Sequence, residues 1–291
     1  MDLRRLGYLL AVADAGGFSA AARDLYVSQP ALSLAVKELE EELGTELLYR
    51  LGRGGVRLTP AGEALAGPAR QALRDIETAR SAVEAVTGLE TGSLALASLP
   101  TLAADPLAGL VGLFRASHPG VVVDLAAPED TAELVDMLQN GTCEIGLVEG
   151  ISLPNSLAVH QLVTQRLVVI LPPGTVRRRV FLQVEELERT ALVAPPRGTS
   201  SRRLLDEAFQ AAGMSPHIAV VAAQREAILP LVLAGAGAAL VPEPLAVQAG
   251  QLGAVIASLR PAITRHVVLA HRPGALAPAA ARFLRLATGV A

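Results

Sequence analysis

Residues 18–43 read FSAAARDLYVSQPALSLAVKELEEEL, two short helical segments broken by a tight turn. Ser19 is a candidate N-cap for a first helix through Leu25, and Tyr26 with Val27 supplies the turn. Ser28 caps a second helix, whose first turn holds Pro30 where a missing N–H costs nothing. Leu32, Val36, Leu39 and Leu43 then recur at i, i+4, i+7 and i+11, which predicts one buried stripe. Gln29, Ser33 and Lys37 fall four apart on another face. An amide, a small hydroxyl and a cation in that order can reach base edges or phosphates from a helix lying in a major groove. From spacing alone, a structural helix pair with a solvated polar face fits the pattern equally well.

Immediately downstream of the pair, the segment TELLYRLGRGGVRLTPAG (45–62) predicts a strand, a Gly-rich turn, a second strand and a new helix start, that is, a small wing. Arg50 and Arg53 flank its tip, within reach of phosphates or a minor groove. Thr59 and Pro60 open the next helix as N-cap and first residue. Along it Leu65, Ala69, Ala72, Ile76, Ala79, Val83 and Val86 alternate spacings of four and three, a heptad seam. One narrow seam on one long helix calls for a partner, so a dimerisation helix is expected, bent or interrupted at Pro68; packing on its own domain is the competing reading.

Composition narrows the class. The 291 residues are 51% hydrophobic, enough for two or three domains, yet charged residues, Gly and Pro interrupt every apolar run before membrane-spanning length. The start, MDLRRLGYLLAVADAGG, reads as a core helix and not a signal peptide, because Leu3, Leu6, Leu10 and Ala13 keep helical spacing and Asp14 ends the patch. A single cysteine, Cys143, excludes an internal disulfide framework and points to a reduced, cytoplasmic setting. Net charge is −3, and residues 1–60 carry seven Lys and Arg against eight Asp and Glu, so any basic surface must come from folding rather than composition. The five histidines show no HxxE or HxxxH spacing, GTSS at 198–201 lacks the GxSxG elbow, and Gly235-Ala236-Gly237 lacks a preceding strand and a third glycine. No catalytic residues, metal site or cofactor are expected.

Beyond a linker at Gly88–Gly92 the pattern changes to alternating strands and helices. Strands are expected at 94–98, 121–126, 143–148, 157–163, 167–171, 191–194, 217–222, 238–241, 255–259 and 266–270, which predicts parallel sheets with crossover helices in two small lobes. Polar groups recur at strand-to-helix turns. Ser98, Pro100 and Thr101 form one, Gly198, Thr199 and Ser200 a second, Gln224 with Arg225 a third, and Thr131 opens the helix after the second strand. Any one of these is an ordinary N-cap; their repetition at the same topological place predicts a cleft for a polar or anionic small molecule. Glu129, Asp130 and Glu149 are expected at its rim.

With these marks in place the chain resembles the LysR-type transcriptional regulators over essentially its whole length. The resemblance is carried by FSAAARDLYVSQPALSLAVKELEEELGTELLYR (18–50) and VRLTPAGEAL (56–65), then by FRASHPGVVVDL (114–125), TAELVDMLQNGTCEIGLVEG (131–150) and AILPLVLAGAGAALVPEPLA (227–246). It implies an α/β multidomain protein with a winged helix-turn-helix at 1–58, a linker and dimerisation helix at 59–90, and a periplasmic-binding-protein-like effector domain at 91–291. Lobe I would comprise 91–163 and 266–291, lobe II 164–265, with crossovers near 163–165 and 262–265. It further implies that Ser28, Gln29, Pro30, Ser33 and Lys37 face double-stranded promoter DNA, that Arg53 anchors the wing, and that a small-molecule effector rearranges homodimers within a homotetramer contacting RNA polymerase. Two positions depart from the family pattern. Leu34 and Ala35 stand where many members carry arginine or glutamine, and Glu149 stands where carboxylate-binding members place an arginine. The first departure keeps open an alternative, a small-molecule-binding module acting through protein contacts with vestigial DNA binding.

Overall fold

Leucines spaced for helices and capped by short polar residues build the N-terminal unit. A computed structural model describes residues 2–51, 55–87, 92–151, 153–176 and 181–289. Helices α1 (Leu3–Asp14), α2 (Phe18–Asp24) and α3 (Gln29–Leu43) precede a hairpin of β1 (Leu48–Arg50) and β2 (Val56–Leu58), the expected wing. The Asp2 carboxylate caps α1 by accepting from Arg5 N at 2.8 Å, and Ser28 Oγ caps α3 by accepting from Ala31 N at 3.4 Å. Ser19 is not a cap: α2 begins one residue earlier, with Gly17 at the N-cap position and no side-chain bond. Leu9, Val12, Leu32, Val36 and Leu39 are fully buried where the three helices meet. Leu43, expected in that stripe, is 41% exposed because Gly44 turns the chain left-handed and ends the helix against solvent.

The acidic block late in α3 is used inside this unit. Glu40 Oε1 accepts from the backbone N–H groups of Leu47 (2.8 Å) and Leu48 (3.2 Å), anchoring the wing, while Arg5 of α1 pairs with Glu38 at 2.9 Å and Glu42 at 3.4 Å. Thr59 Oγ1 donates to Glu46 O and accepts from Gly62 N, so it caps α4 (Pro60–Thr87), which continues through Pro68. Gly62 has to be glycine, since a Cβ there would lie 2.2 Å from Leu47 O. Leu65 and Ala69 of the seam pack into the N-terminal core, whereas Ile76 is 47% exposed. The side chains of Val83 and Val86 lie outside the described residues, as do Arg53 and Arg177–Arg179.

The remainder is α/β. It runs β3 (Gly92–Ser98), α5 (Pro100–Leu102), a π-helical turn to α6 (Ala108–Ser117), β4 (Val121–Ala126), α7 (Thr131–Gln139), β5 (Ile145–Glu149) and β6 (Ala158–Leu171). Then come β7 (Phe181–Gln183), β8 (Leu192–Ala194), α8 (Ser200–Ala211), β9 (Ile218–Val221), α9 (Ile228–Leu233), β10 (Ala239–Pro242), α10 (Glu243–Gln251), β11 (Val255–Arg260), β12 (Ile263–His271) and α11 (Pro278–Thr288). Gly92, read as linker, already belongs to β3.

Two expectations need correction. The segments 157–163 and 167–171 are one strand, the 14-residue β6, and the sheets are mixed, not parallel. β3 pairs in parallel with β4 and β5, and β8 with β9, but β6 pairs antiparallel with β10, β11 and β12. The physical reason is continuity. β12 runs back alongside β6 from Ile263↔Leu167 to His271↔Ala158, so the polar stretch Thr164–Arg166 that suggested a break is held by a neighbouring strand. The end of β6 is buried on both faces, as the uninterrupted LVVIL requires: Leu167, Val169 and Leu171 enter one core, Val168 and Ile170 another. A third core, around Leu96, Phe114, Leu134 and Leu269, belongs to the β3–β5 side. On the shared strands His160 and His271 meet Nε2 to Nε2 at 3.0 Å, and His271 Nδ1 donates to Arg272 O at 2.6 Å.

Candidate DNA-reading face and interlobe cleft

The start of α3 presents Ser28, Gln29 and Pro30 to solvent, with Lys37 two turns on and Ser33 half-buried between them. Ser28 spends its hydroxyl on the helix cap, and Lys37 reaches Glu41 at 3.3 Å on the exposed surface. Such a pair is worth little in water, so the ammonium remains available to a phosphate. Leu34, 56% exposed, joins the same surface. Tyr26 stands in the turn at a φ of 56° and is 96% exposed. On the wing, the Arg50 guanidinium lies over the Phe18 ring at 5.4 Å, fixing one end of the hairpin to α2.

A cavity of about 600 Å³ opens between the two lobes. One wall is Leu99 and Thr101 of the β3–α5 turn with Glu129, Asp130 and Thr131 at the start of α7; the other is Gly198, Ser200 and Arg203 at the start of α8, with Arg225. Asp130 Oδ1 accepts from Glu133 N at 2.9 Å and is the cap of α7, with Thr131 first in the helix. Glu149, expected at the rim, is only 4% exposed. It ends β5 and reaches across the cavity, accepting from Arg203 Nη2 at 2.6 Å and from the Ser200 hydroxyl. Partial loss of water weakens the Arg203 charge, but the carboxylates of Glu149 and Glu207 outweigh that and hold its pKa above the ordinary value. Arg225 is half-buried, with burial pulling its pKa down and Glu129 opposing, and its guanidinium makes no hydrogen bond or ion pair among the described residues.

Behind this wall lies a second guanidinium. Arg265 of β12 is 1% exposed; its Nε donates to Gln165 Oε1 at 2.8 Å and its Nη1 to Thr101 Oγ1 at 3.1 Å, while Nη2 has no partner. Gln165 in turn donates to Asp105 O at 3.0 Å. Burial pushes Arg265 down to about 10, which leaves it charged at neutral pH. The two crossover strands are thereby tied to the turn that carries Thr101.

Of the residues expected from the sequence, Thr101, Thr131, Gly198 and Ser200 come together on the cavity wall. Ser98 is fully buried, donating to Leu99 O at 3.0 Å, and Thr199 donates to Pro196 O at 2.9 Å. Pro100 opens α5 and Gln224 is exposed beside Arg225; neither lines the cavity. Sequence reasoning missed Arg203, Asp136 and Arg265. Arg203 had a signal, standing one helical turn after Ser200 on the same face; Arg265 had none, since only the pairing of β6 with β12 buries it. Cys143 is 1% exposed and burial pushes its thiol up to about 12, so it is a packing residue and not a reactive thiolate.

The molecule is thus of the class in which a winged helix-turn-helix is joined through one long helix to a two-lobed ligand-cleft domain. Residues 3–63 match the model of the bacterial regulatory helix-turn-helix protein, lysR family, and residues 87–291 that of the LysR substrate binding domain. TfdS of Cupriavidus pinatubonensis, an HTH-type transcriptional regulator, is 32% identical over 251 residues, 84% of each chain. A full-length OxyR from Pseudomonas aeruginosa shares the fold with a TM-score of 0.79 at 23% identity, over 99% of this chain and 94% of the other. Full-length CbnR, solved with its target DNA, aligns over 100% of both chains with a TM-score of 0.67 and 26% identity. The chain belongs to the LysR family. It is a ligand-responsive, DNA-binding transcriptional regulator. No helix among the described residues is long and apolar enough to cross a membrane.

Proposed function

We propose that a small molecule bearing an acidic group enters the interlobe cavity and changes how cytoplasmic homodimers, paired into homotetramers, sit on promoter DNA and present themselves to RNA polymerase. The observation that carries the ligand class is Arg225, a half-buried cation on the cavity wall whose guanidinium has no hydrogen-bond or ion-pair partner among the described residues, Glu129 acting on it only through space. Thr101, Thr131, Gly198 and Ser200 supply the remaining polar contacts, and Glu149 with Arg203 closes the floor across the lobes. The proposed lobes are 91–163 with 266–291, and 164–265. On DNA, Ser28, Gln29, Pro30, Ser33 and Lys37 of α3 face the major groove and Arg53 the flanking backbone. Nothing favours the alternative of vestigial DNA binding, and the similar CbnR solved with its target DNA supports the reading of α3 as a DNA reader.

Titration of the full chain with a panel of organic acids, read by thermal shift and by mobility shift on the DNA flanking its own gene, tests this reading. An acid that raises the unfolding midpoint and alters the shifted band, and loses both effects in Arg225→Gln, is the expected result. Absence of any specific, salt-resistant DNA complex would overturn it.

A further inference from the structure

A second cavity lies where α4 meets the effector domain, apart from the interlobe cleft. It holds about 330 Å³ and is lined by Gln71, Arg74 and Asp75 of α4, by Glu144, and by Arg272 with the loop after β12. Two guanidinium groups converge there on one turn of backbone. A Cβ placed on Gly141, whose φ is +71°, would lie 2.3 Å from Arg272 Nη1 and 2.4 Å from Arg74 Nη2, so both cations occupy the space that a side chain would fill. Arg74 is committed: Nη1 donates to Gly141 O and Nη2 to Gln71 Oε1 at 2.8 Å. The Arg272 guanidinium has no hydrogen-bond or ion-pair partner among the described residues. The two acids do not neutralise the pair at contact distance. Asp75 accepts from Gln71 Nε2 at 2.7 Å, and Glu144 is 8% exposed, its carboxyl pushed up by burial. Both arginines are held below their ordinary range, first by burial and, for Arg74, next by Arg272, while Glu144 and Asp75 oppose the drop through space on both.

Two half-buried guanidinium groups repel each other, and an oxyanion between them offsets what Glu144 and Asp75, neither at ion-pair distance, leave uncompensated. We propose that this cavity is a binding site for a small oxyanion, a phosphate or carboxylate group held chiefly by the guanidinium fork of Arg272, with the N–H groups that Arg74 has left over beside it. Guanidinium forks match the geometry of both anions. The site joins three segments: α4, the turn at Gly141 that comes after α7, and the exit of β12. An anion there fixes the linker helix against the effector domain, independently of what fills the interlobe cleft.

The test is thermal unfolding of the full chain in low-salt buffer, titrated with inorganic phosphate, malonate or sodium chloride at matched ionic strength. The expected result is a saturable rise in midpoint with phosphate or malonate that chloride does not reproduce, and whichever saturates at lower concentration assigns the anion. Arg272→Gln is expected to abolish the saturable rise while the anion-free protein still unfolds in one cooperative transition. Arg272→Lys, which keeps charge without the fork, should weaken binding at least tenfold. In the cleft variant Arg225→Gln the saturable rise with phosphate or malonate should persist, and what remains there is assigned to this cavity and not to the interlobe cleft. Equal responses to all three salts, or an unaltered response in Arg272→Gln, would each overturn the assignment.

Discussion

Gln29 and Lys37 are separated by two turns of α3, one able to pair bidentately with adenine and the other a point charge, and this chemical difference sets what each can contribute. Gln29→Ala is expected to cost about 1–3 kcal/mol on the preferred site and to relax base preference there, whereas Lys37→Ala should weaken binding on specific and random DNA alike and reduce the salt dependence. Competition mobility shifts against random duplex distinguish the two. In the cleft, Glu149→Gln removes the charge and one of the two oxygens that accept from Arg203 and Ser200. The expected loss is about 1.5–3 kcal/mol from hydrogen bonding to a charged group, nearer the lower figure because Arg203 keeps solvent and Glu207 (2.7 Å); denaturant unfolding reads it. The individual residues of α3 were legible in sequence because capping and i+4 spacing are local rules. Glu149 was readable only as an acid after a strand. Its partners lie more than fifty residues away on another lobe, which no local pattern encodes.

At the scale of elements, α4 shows how a periodic signal can be right about a helix and silent about its use. Its seam is consumed at Leu65 and Ala69 by the N-terminal core but emerges at Ile76, an exposed apolar residue that a second copy of the helix would cover. Ile76→Glu is expected to shift the protein toward monomer in sedimentation velocity while leaving the helical signal in circular dichroism intact. The β6–β12 ladder gives a pH prediction. Burial holds His271 below its ordinary 6.5, its Nδ1 already donating to a carbonyl and its Nε2 facing His160. Below 6.5 the unfolded chain therefore binds a proton that the folded chain resists. Stability is fully present above that value and is lost as pH falls through the depressed one, and His271→Gln should flatten the decline in unfolding midpoint on mild acidification. Strand assignments from sequence failed where this ladder matters most. The polar residues 164–166 read as a gap, and only pairing with β12 makes them the middle of one strand.

For the whole molecule, the two-lobed layout was legible in the alternation of strands and helices, but the mixed sheet was not, because strand direction is decided by which distant segment returns beside β6. A cleft ligand present at a hundred times its dissociation constant should add about 2.7 kcal/mol to stability, if it binds only the folded state; isothermal calorimetry and unfolding on one sample check the agreement. The fourteen residues of β6 carry a mechanical consequence as well. Residues 158–167 are laced to β12 and 167–171 to β10 and β11, so the lobes are the two ends of one torsion bar rather than bodies on a slack tether. Effector binding would then be registered as twist along a strand and handed on as torque, and a glycine placed in the middle of β6 should let ligand affinity survive while the transcriptional response fades.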